Sequence, residues 1–170
     1  MLSRQAVLLP AEPSDEPALA DMLQVYAREF SAFHPVEFGA HGRFVYRDLP
    51  KYWLEADRHP FLMKIDGETA GFVLVQQTNS VTSGHLVWEI AEFFVLGEYR
   101  RRGVGMEAAH LAWKRFPGMW QVRVLQANDA AVLFWETAIL RFTGNPPQSA
   151  ALDRGGHRWR VFFFDSTQTN

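Results

Sequence analysis

The hydrophobic pattern of this sequence changes period at one basic, glycine-bearing turn. Residues 85–96 predict a long strand, and Val104 opens a run whose apolar residues recur at helical spacing until Pro117-Gly118 ends it. The turn between them is Arg100-Arg101-Arg102-Gly103-Val104-Gly105. A strand that runs directly into a helix excludes an all-β or all-α chain and indicates a helix packed on a sheet.

The flanking segments extend this unit into an α/β domain. We expect a first strand at about residues 5–9, a helix capped by Ser14 that reaches about Glu29, and a short helix opened by Pro50. Strands are predicted at 61–65, 69–76, 120–126 and 158–165, with one more near Ala150, and residues 77–84 are predicted to form a loop. Asp66-Gly67 indicates a hairpin, and Asn128 is expected to cap a helix to about Leu140.

This order of elements predicts a mixed, mostly antiparallel sheet with helices on both faces. The strands at 85–96 and 120–126 should run parallel, joined by a right-handed crossover. A chain of 170 residues is expected to form one domain, 1–170, large enough to bury its own core.

Composition excludes several classes of function. The absence of cysteine rules out a thiol nucleophile and thiolate metal sites, and the six histidines lack metal-ligand spacing, so no metal is expected. A net charge of −2 argues against nucleic acid as a partner. The apolar runs are too short for a membrane span, so we expect a cytoplasmic protein with no membrane partner.

The turn at 100–105 has the features of an anion site. Backbone N–H groups at the start of a helix lack partners and point outward, where the helix dipole adds positive charge. Gly103 and Gly105 allow close approach of the main chain, and Arg101 and Arg102 supply charge. Taken alone, the same residues also suit a solvated turn, and they match neither a P-loop nor a dinucleotide fingerprint.

The wider pattern resembles a known family. Arg100-x-x-Gly103-x-Gly105 between a strand and a helix is similar to the acetyl-CoA motif of the GNAT superfamily of N-acetyltransferases. Asn128-x-x-Ala131-x-x-Phe134-Trp135 resembles the second signature of that superfamily. The likeness covers residues 61–142 well and the first 60 residues only in outline.

The resemblance implies an acetyl-CoA site between two splayed parallel strands. The main chain of Phe93, Phe94 and Val95 would pair with the pantetheine arm as though it were another strand. The loop and helix start would hold the pyrophosphate, and the second signature would complete the cofactor site. The implied cofactor-binding residues are Phe93, Phe94, Val95, Arg100, Arg101, Arg102, Gly103, Val104, Gly105, Met106, Asn128, Phe134 and Trp135.

Two glutamates are candidates for the base that deprotonates the attacking amine. Glu89 and Glu92 lie three residues apart, so a regular strand would send them to opposite faces, unless a bulge shifts the register. The resemblance favours Glu89, because many members carry a glutamate at that position. Either residue is equally explained as a partnered strand carboxylate. Arg123, on the strand across the cleft, would meet an acidic acceptor or pair with a carboxylate.

Trp135 departs from the family pattern, which commonly has a tyrosine that protonates the departing thiolate. The indole N–H is no useful acid. Water or another tyrosine would then supply the proton, or the thiolate would leave unassisted, or the site would be inactive.

The sequence therefore predicts an acetyltransferase that acts on a primary amine in a ternary complex, with acetyl-CoA as co-substrate. A small-molecule acceptor is favoured over a protein, and a homodimer is the default expectation. The alternative is a non-catalytic acyl-CoA-binding or regulatory module, which Trp135 motivates.

Overall fold

The computed structural model describes residues 5–169, which build one seven-stranded sheet between two helical layers. The strands are β1 Val7–Pro10, β2 Arg58–Ile65, β3 Glu68–Asn79, β4 Leu86–Val95, β5 Met119–Leu125, β6 Gln148–Arg154 and β7 His157–Asp165. The strand order is β1-β2-β3-β4-β5-β7-β6, antiparallel throughout except for the parallel pair β4 and β5. The helices are α1 Glu16–Phe30, α2 Lys51–Leu54, α3 Val104–Arg115 and α4 Asp129–Thr143. The predicted mixed sheet with helices on both faces is confirmed.

The period-2 alternation of the strands divides the core into two clusters. On β3, Val73 and Val75 face α3 and α4, whereas Phe72 and Leu74 face α1 and α2. The first cluster is the larger and is rich in tryptophan, and the second packs the amphipathic face of α1 against the sheet. Both faces of the central strands are therefore buried, as expected for a three-layer α/β domain. Within residues 5–169, no helix is both long enough and apolar enough to cross a membrane.

Local turn chemistry works largely as the sequence predicts. Asp66 and Gly67 both have positive φ, at 51° and 86°, and join β2 to β3 in a tight hairpin. The side chain of Asn128 accepts a hydrogen bond from the Ala131 N–H at 3.1 Å and caps α4. That helix runs three residues beyond Leu140 and ends at Gly144, whose φ of 79° supplies the left-handed C-cap.

Two local predictions are wrong. Ser14 does not cap α1: it lies inside a 3₁₀ turn, Pro13–Asp15, in which the Asp15 carboxylate accepts from the Glu12 N–H at 2.8 Å. The loop expected at 77–84 begins only after Asn79, because β3 continues its antiparallel ladder with β4 through polar residues.

The parallel strands β4 and β5 separate soon after they meet. Within residues 5–169 their ladder consists of Trp88 opposite Trp120 and Glu89 opposite Gln121. From Ile90 onward, β4 therefore has β3 on one side and a gap on the other. The predicted splayed pair is confirmed, and the gap is where the candidate site lies.

Candidate active site

Two cavities meet at the gap between β4 and β5. The glycine-loop cavity, about 790 Å³, lies against the turn at 100–105 and the start of α3. The carboxylate cavity, about 800 Å³, lies on the α1 side of the sheet and contains Glu89, Glu92 and Arg123. A site with two adjoining chambers suits a reaction between two substrates.

The structure brings nearly all the predicted cofactor-binding residues to one place. The exception is Arg102, whose exposed side chain does not line the glycine-loop cavity. The residues that do line it are Phe93, Phe94, Val95, Arg100, Arg101, Gly103, Val104, Gly105, Met106, Asn128, Phe134 and Trp135.

The backbone of the turn has an unusual conformation beside this cavity. Arg101 has a φ of 58° and Gly103 a φ of 82°, so a left-handed residue occurs twice just before α3. Such turns make anion-binding concavities, and a non-glycine residue held at positive φ is typical of a functional loop. At Gly105 a Cβ would lie 3.3 Å from Val95 Cγ2 and 3.4 Å from the Phe134 ring, so glycine keeps the cavity floor open.

The side chain of Arg100 links this turn to the end of β4 and to the end of α1. Its Nε donates to the Val95 carbonyl at 2.7 Å, and its Nη2 donates to the Glu29 carboxylate, also at 2.7 Å. The guanidinium carbon lies 5.1 Å from the centre of the Phe94 ring. These contacts tie the end of β4 and the end of α1 to the loop, so Arg100 positions the turn as well as lining the cavity.

A β-bulge places both candidate carboxylates on one face of the sheet. Leu74 of β3 pairs with Glu92, but the next residue, Val75, pairs with Ile90, so Ala91 is the extra residue. Glu89 and Glu92 consequently both point toward α1 and line the carboxylate cavity. The expectation for a regular strand, with the two side chains on opposite faces, is wrong here because of this bulge.

Glu89 is fully engaged by its neighbours. The Nε of Arg123 donates to Oε1 in a short ion pair, and Gln76 Nε2 donates to Oε2 at 3.2 Å. The Glu89 side chain is 2 % exposed and that of Arg123 is 30 % exposed. Of the two alternatives for Arg123, the structure shows a carboxylate partner, and that partner is buried.

Glu92 has a different environment, made of tyrosines. The Tyr26 hydroxyl donates to Glu92 Oε2 at 2.5 Å, and Tyr46 also stabilises the ionised carboxylate. Desolvation outweighs these contacts and raises the pKa of Glu92 to about 7, with a small further contribution from Glu89. A carboxyl group with this pKa changes its protonation state near neutral pH.

Tyr26 is the functional candidate that sequence reasoning missed. It lies in the apolar stripe of α1, where the helical spacing indicates only a core residue. Its ring packs on Phe30, Phe72 and Phe94, and its pKa is raised well above 10 by burial and by the charge of Glu92. Only the tertiary contact between α1 and the bulge of β4 reveals it.

Trp135 lies where the two cavities join. Its ring packs edge-on against Phe93 at 4.8 Å and against Phe134 at 4.9 Å, and the residue is 7 % exposed. Among residues 5–169, the ones that line both cavities are Tyr26, Phe30, Phe93, Asn128, Ala131 and Trp135. The walls of this junction are thus mostly aromatic.

Among residues 5–169, no three or more histidine, aspartate or glutamate side chains lie together in a way that could hold a metal ion. His34 packs against His157 in a tilted arrangement, with the ring centres 4.4 Å apart.

Comparisons with known proteins concern the family and the fold. The sequence profile of the acetyltransferase (GNAT) family matches residues 19–138. No protein of curated function matches the sequence significantly.

Solved structures of similar fold cover nearly the whole chain. An acetyltransferase from Thermus thermophilus is 17 % identical, with a TM-score of 0.69 over 97 % of this chain and 99 % of that one. NAA60 from Arabidopsis thaliana, solved with acetyl-CoA, is 13 % identical, with a TM-score of 0.60 over 96 % and 99 %. The ribosomal-protein-S18-alanine N-acetyltransferase from Escherichia coli is 15 % identical, with a TM-score of 0.61 over 98 % and 96 %.

Proposed function

Because this chain belongs to the acetyltransferase (GNAT) family, we propose that it transfers an acetyl group from acetyl-CoA to the primary amine of a small molecule. The observation that carries the proposal is the meeting of two cavities at the gap beside β4. One offers backbone N–H groups and arginine, and the other offers a carboxylate with a pKa of about 7.

The glycine-loop cavity suits the coenzyme. The N–H groups at the start of α3 and the left-handed residues Arg101 and Gly103 would hold the pyrophosphate. The open edge of β4 at Phe93 to Val95 would pair with the pantetheine arm, although the Val95 carbonyl already accepts from Arg100. NAA60, a protein of the same fold, is seen with acetyl-CoA, which supports this co-substrate.

Glu92 is the better base. An alkylamine with a pKa of about 10.4 is almost fully protonated at neutral pH and must lose a proton before it attacks. Glu89, which the sequence favours, has both oxygens engaged by Arg123 and Gln76. Glu92 has a pKa that suits proton transfer near pH 7, so we assign the role of general base to Glu92. We assign to Glu89 the role of counter-ion for Arg123.

The walls of the carboxylate cavity indicate the class of acceptor. Glu89 is paired with Arg123, and the two exposed charges that also line this cavity, Glu37 and Arg47, are of opposite sign. We therefore assign the ammonium group of the acceptor to Glu92. The aromatic side chains that line the cavity are Tyr26, Phe30, Phe38, Phe44, Tyr46, Phe93, Trp135 and Trp159. This combination favours a monoamine on an aromatic or other apolar body over a polyamine or an acidic amino acid.

The test is acetyl transfer to a panel of amines, followed by coenzyme A release and by mass spectrometry of the product. We expect arylalkylamines to have a higher kcat/KM than spermidine or glutamate. Glu92→Gln should lower kcat by about 10²-fold or more, as expected for loss of a general base, and Glu89→Gln should lower it less. The reverse order would assign the base to Glu89.

Binding of the coenzyme is tested separately. Calorimetry should show that Arg101→Glu weakens association with coenzyme A, while Arg154→Glu, an exposed charge reversal on the β6–β7 hairpin, does not. Association without turnover on any amine would favour the alternative, a non-catalytic acyl-CoA-binding module. No association would contradict both.

A further inference from the structure

The junction of the two cavities poses a chemical problem that Trp135 does not solve. When an amine displaces a thiol from a thioester, a proton must leave nitrogen and a proton must reach sulfur. The amine proton has a destination at Glu92. The indole of Trp135, which borders the junction, cannot release a proton to the sulfur.

One side chain at the junction has a proton that it can exchange. Among the residues of 5–169 that line both cavities, Tyr26 is the one with an ionisable group, since the others are apolar or carry an amide or an indole. Its hydroxyl already donates to Glu92 Oε2 at 2.5 Å. The ring is held by Phe30, Phe72 and Phe94, so the hydroxyl has a defined position.

We propose that Tyr26 is the general acid of this enzyme and that Tyr26 and Glu92 form a proton relay from the amine to the thiol. The proposal rests on the acetyl transfer proposed above and adds a residue on α1 to its chemistry. Tyr26 would protonate the departing thiolate, which Trp135 cannot do.

The relay is balanced in protons. The ammonium group of the acceptor first loses one proton to solvent through Glu92, which is ionised again before the attack. Glu92 then takes a second proton from the attacking nitrogen as the new C–N bond forms, and the C–S bond breaks with its electron pair on sulfur. Tyr26 gives its phenolic proton to that sulfur, and Glu92 returns the proton it holds to the Tyr26 oxygen. The products are an amide and a free thiol, and both side chains end as they began.

The hydrogen bond between the two side chains sets the order of these events. While Glu92 is ionised, the single phenolic proton points to its carboxylate. Once Glu92 is protonated, the carboxyl group becomes the donor, and the phenolic proton is free to turn toward the glycine-loop cavity. The acid therefore becomes available only after the base has acted. Burial keeps the pKa of Tyr26 well above 10, so the phenol stays protonated at neutral pH until then.

Other groups also face this pair. Tyr46 on the segment before α2, Glu89 on β4 and Arg123 on β5 all influence the pKa of Glu92. Tyr52 on α2 is coupled to Glu92 as well, but it lines neither cavity. Tyr52→Phe is therefore a matched control: it deletes a buried phenol from the same core cluster without touching the junction.

The first experiment measures the contact with sulfur without relying on turnover. Calorimetry at about pH 5.5, where Glu92 is protonated and the phenolic proton is free to turn, compares coenzyme A with desulfo-coenzyme A, which lacks the sulfur atom. The wild-type protein and Tyr52→Phe should bind coenzyme A several-fold more tightly than the desulfo compound. Tyr26→Phe should bind both equally, with unchanged affinity for desulfo-coenzyme A. Unchanged discrimination in Tyr26→Phe would overturn the proposal.

The second experiment is kinetic. Tyr26→Phe should lower kcat by about 10²-fold while the KM for acetyl-CoA stays within about twofold, and Tyr52→Phe should keep both. An active wild-type enzyme whose Tyr26→Phe variant retains kcat would overturn the relay alone. A wild-type protein that binds coenzyme A and acetylates no amine would overturn the acetyl transfer itself, and the relay with it.

Discussion

Replacing Glu92 by glutamine should make the protein more stable at alkaline pH. The size of this gain is determined by how far folding raises the pKa of Glu92. Folding takes this carboxyl group out of water and raises its pKa from 4.5 to about 7. Desolvation is the main cause, and the hydrogen bond from Tyr26 offsets only part of it. Glutamine has nearly the same shape, keeps an acceptor for the Tyr26 hydroxyl and carries no charge to desolvate.

The direction of the pH dependence follows from the pKa values of Glu92 in the unfolded and the folded protein. Between pH 4.5 and about pH 7 the folded protein holds this proton and the unfolded chain has lost it. The free energy of unfolding therefore falls as pH rises through this window, and the full loss is present above it. At about 1.4 kcal/mol for each pH unit between the two values, the loss is about 3 kcal/mol.

The assay is urea denaturation of both proteins at pH 4, 6 and 8.5. The difference in unfolding free energy, Glu92→Gln minus wild type, should increase by about 3 kcal/mol from the lowest to the highest pH, whatever its value at pH 4. Glu136→Gln, which removes an exposed carboxylate from α4, controls for the loss of one negative charge. A difference for Glu92→Gln that stays constant across this range would refute the reasoning.

Two further predictions concern residues that contact β4, one by packing and one by an ion pair. Gly71→Ala should destabilise the protein by at least about 1–3 kcal/mol, because the added Cβ would lie 2.1 Å from the Phe94 carbonyl oxygen; an unchanged urea midpoint would contradict this. Arg123→Met should cost about 3–5 kcal/mol by leaving Glu89 buried and unpaired, and adding Glu89→Gln should restore part of that loss. A double-mutant cycle measures the coupling, and simple additivity would mean that the ion pair contributes nothing.

Much of the fold could be predicted because it depends on local chemistry. The strand-turn-helix unit at 85–116 follows from a change of hydrophobic period, the hairpin at Asp66-Gly67 from two positive φ angles, and the start of α4 from the Asn128 cap. Each of these signals acts over a few residues, so it can be recognised without knowing what packs against it. The family resemblance implied most of the lining of the glycine-loop cavity, since those residues come from short, continuous motifs. The part of the lining that comes from α1 and the turn directly after it, namely Tyr26, Glu29, Phe30 and Phe33, was not predicted.

The tertiary structure alone decided how the carboxylates are used. Glu89 and Glu92 share a face because Ala91 bulges, and that bulge exists only in the register between β3 and β4. Tyr26 meets Glu92 across 66 residues of chain, and Arg100 meets Glu29 across 71. The sequence determined which residues could do the chemistry, because side-chain type and local backbone preference are properties of short segments. Which of them meet depends on strand register and helix packing, which only the assembled core determines.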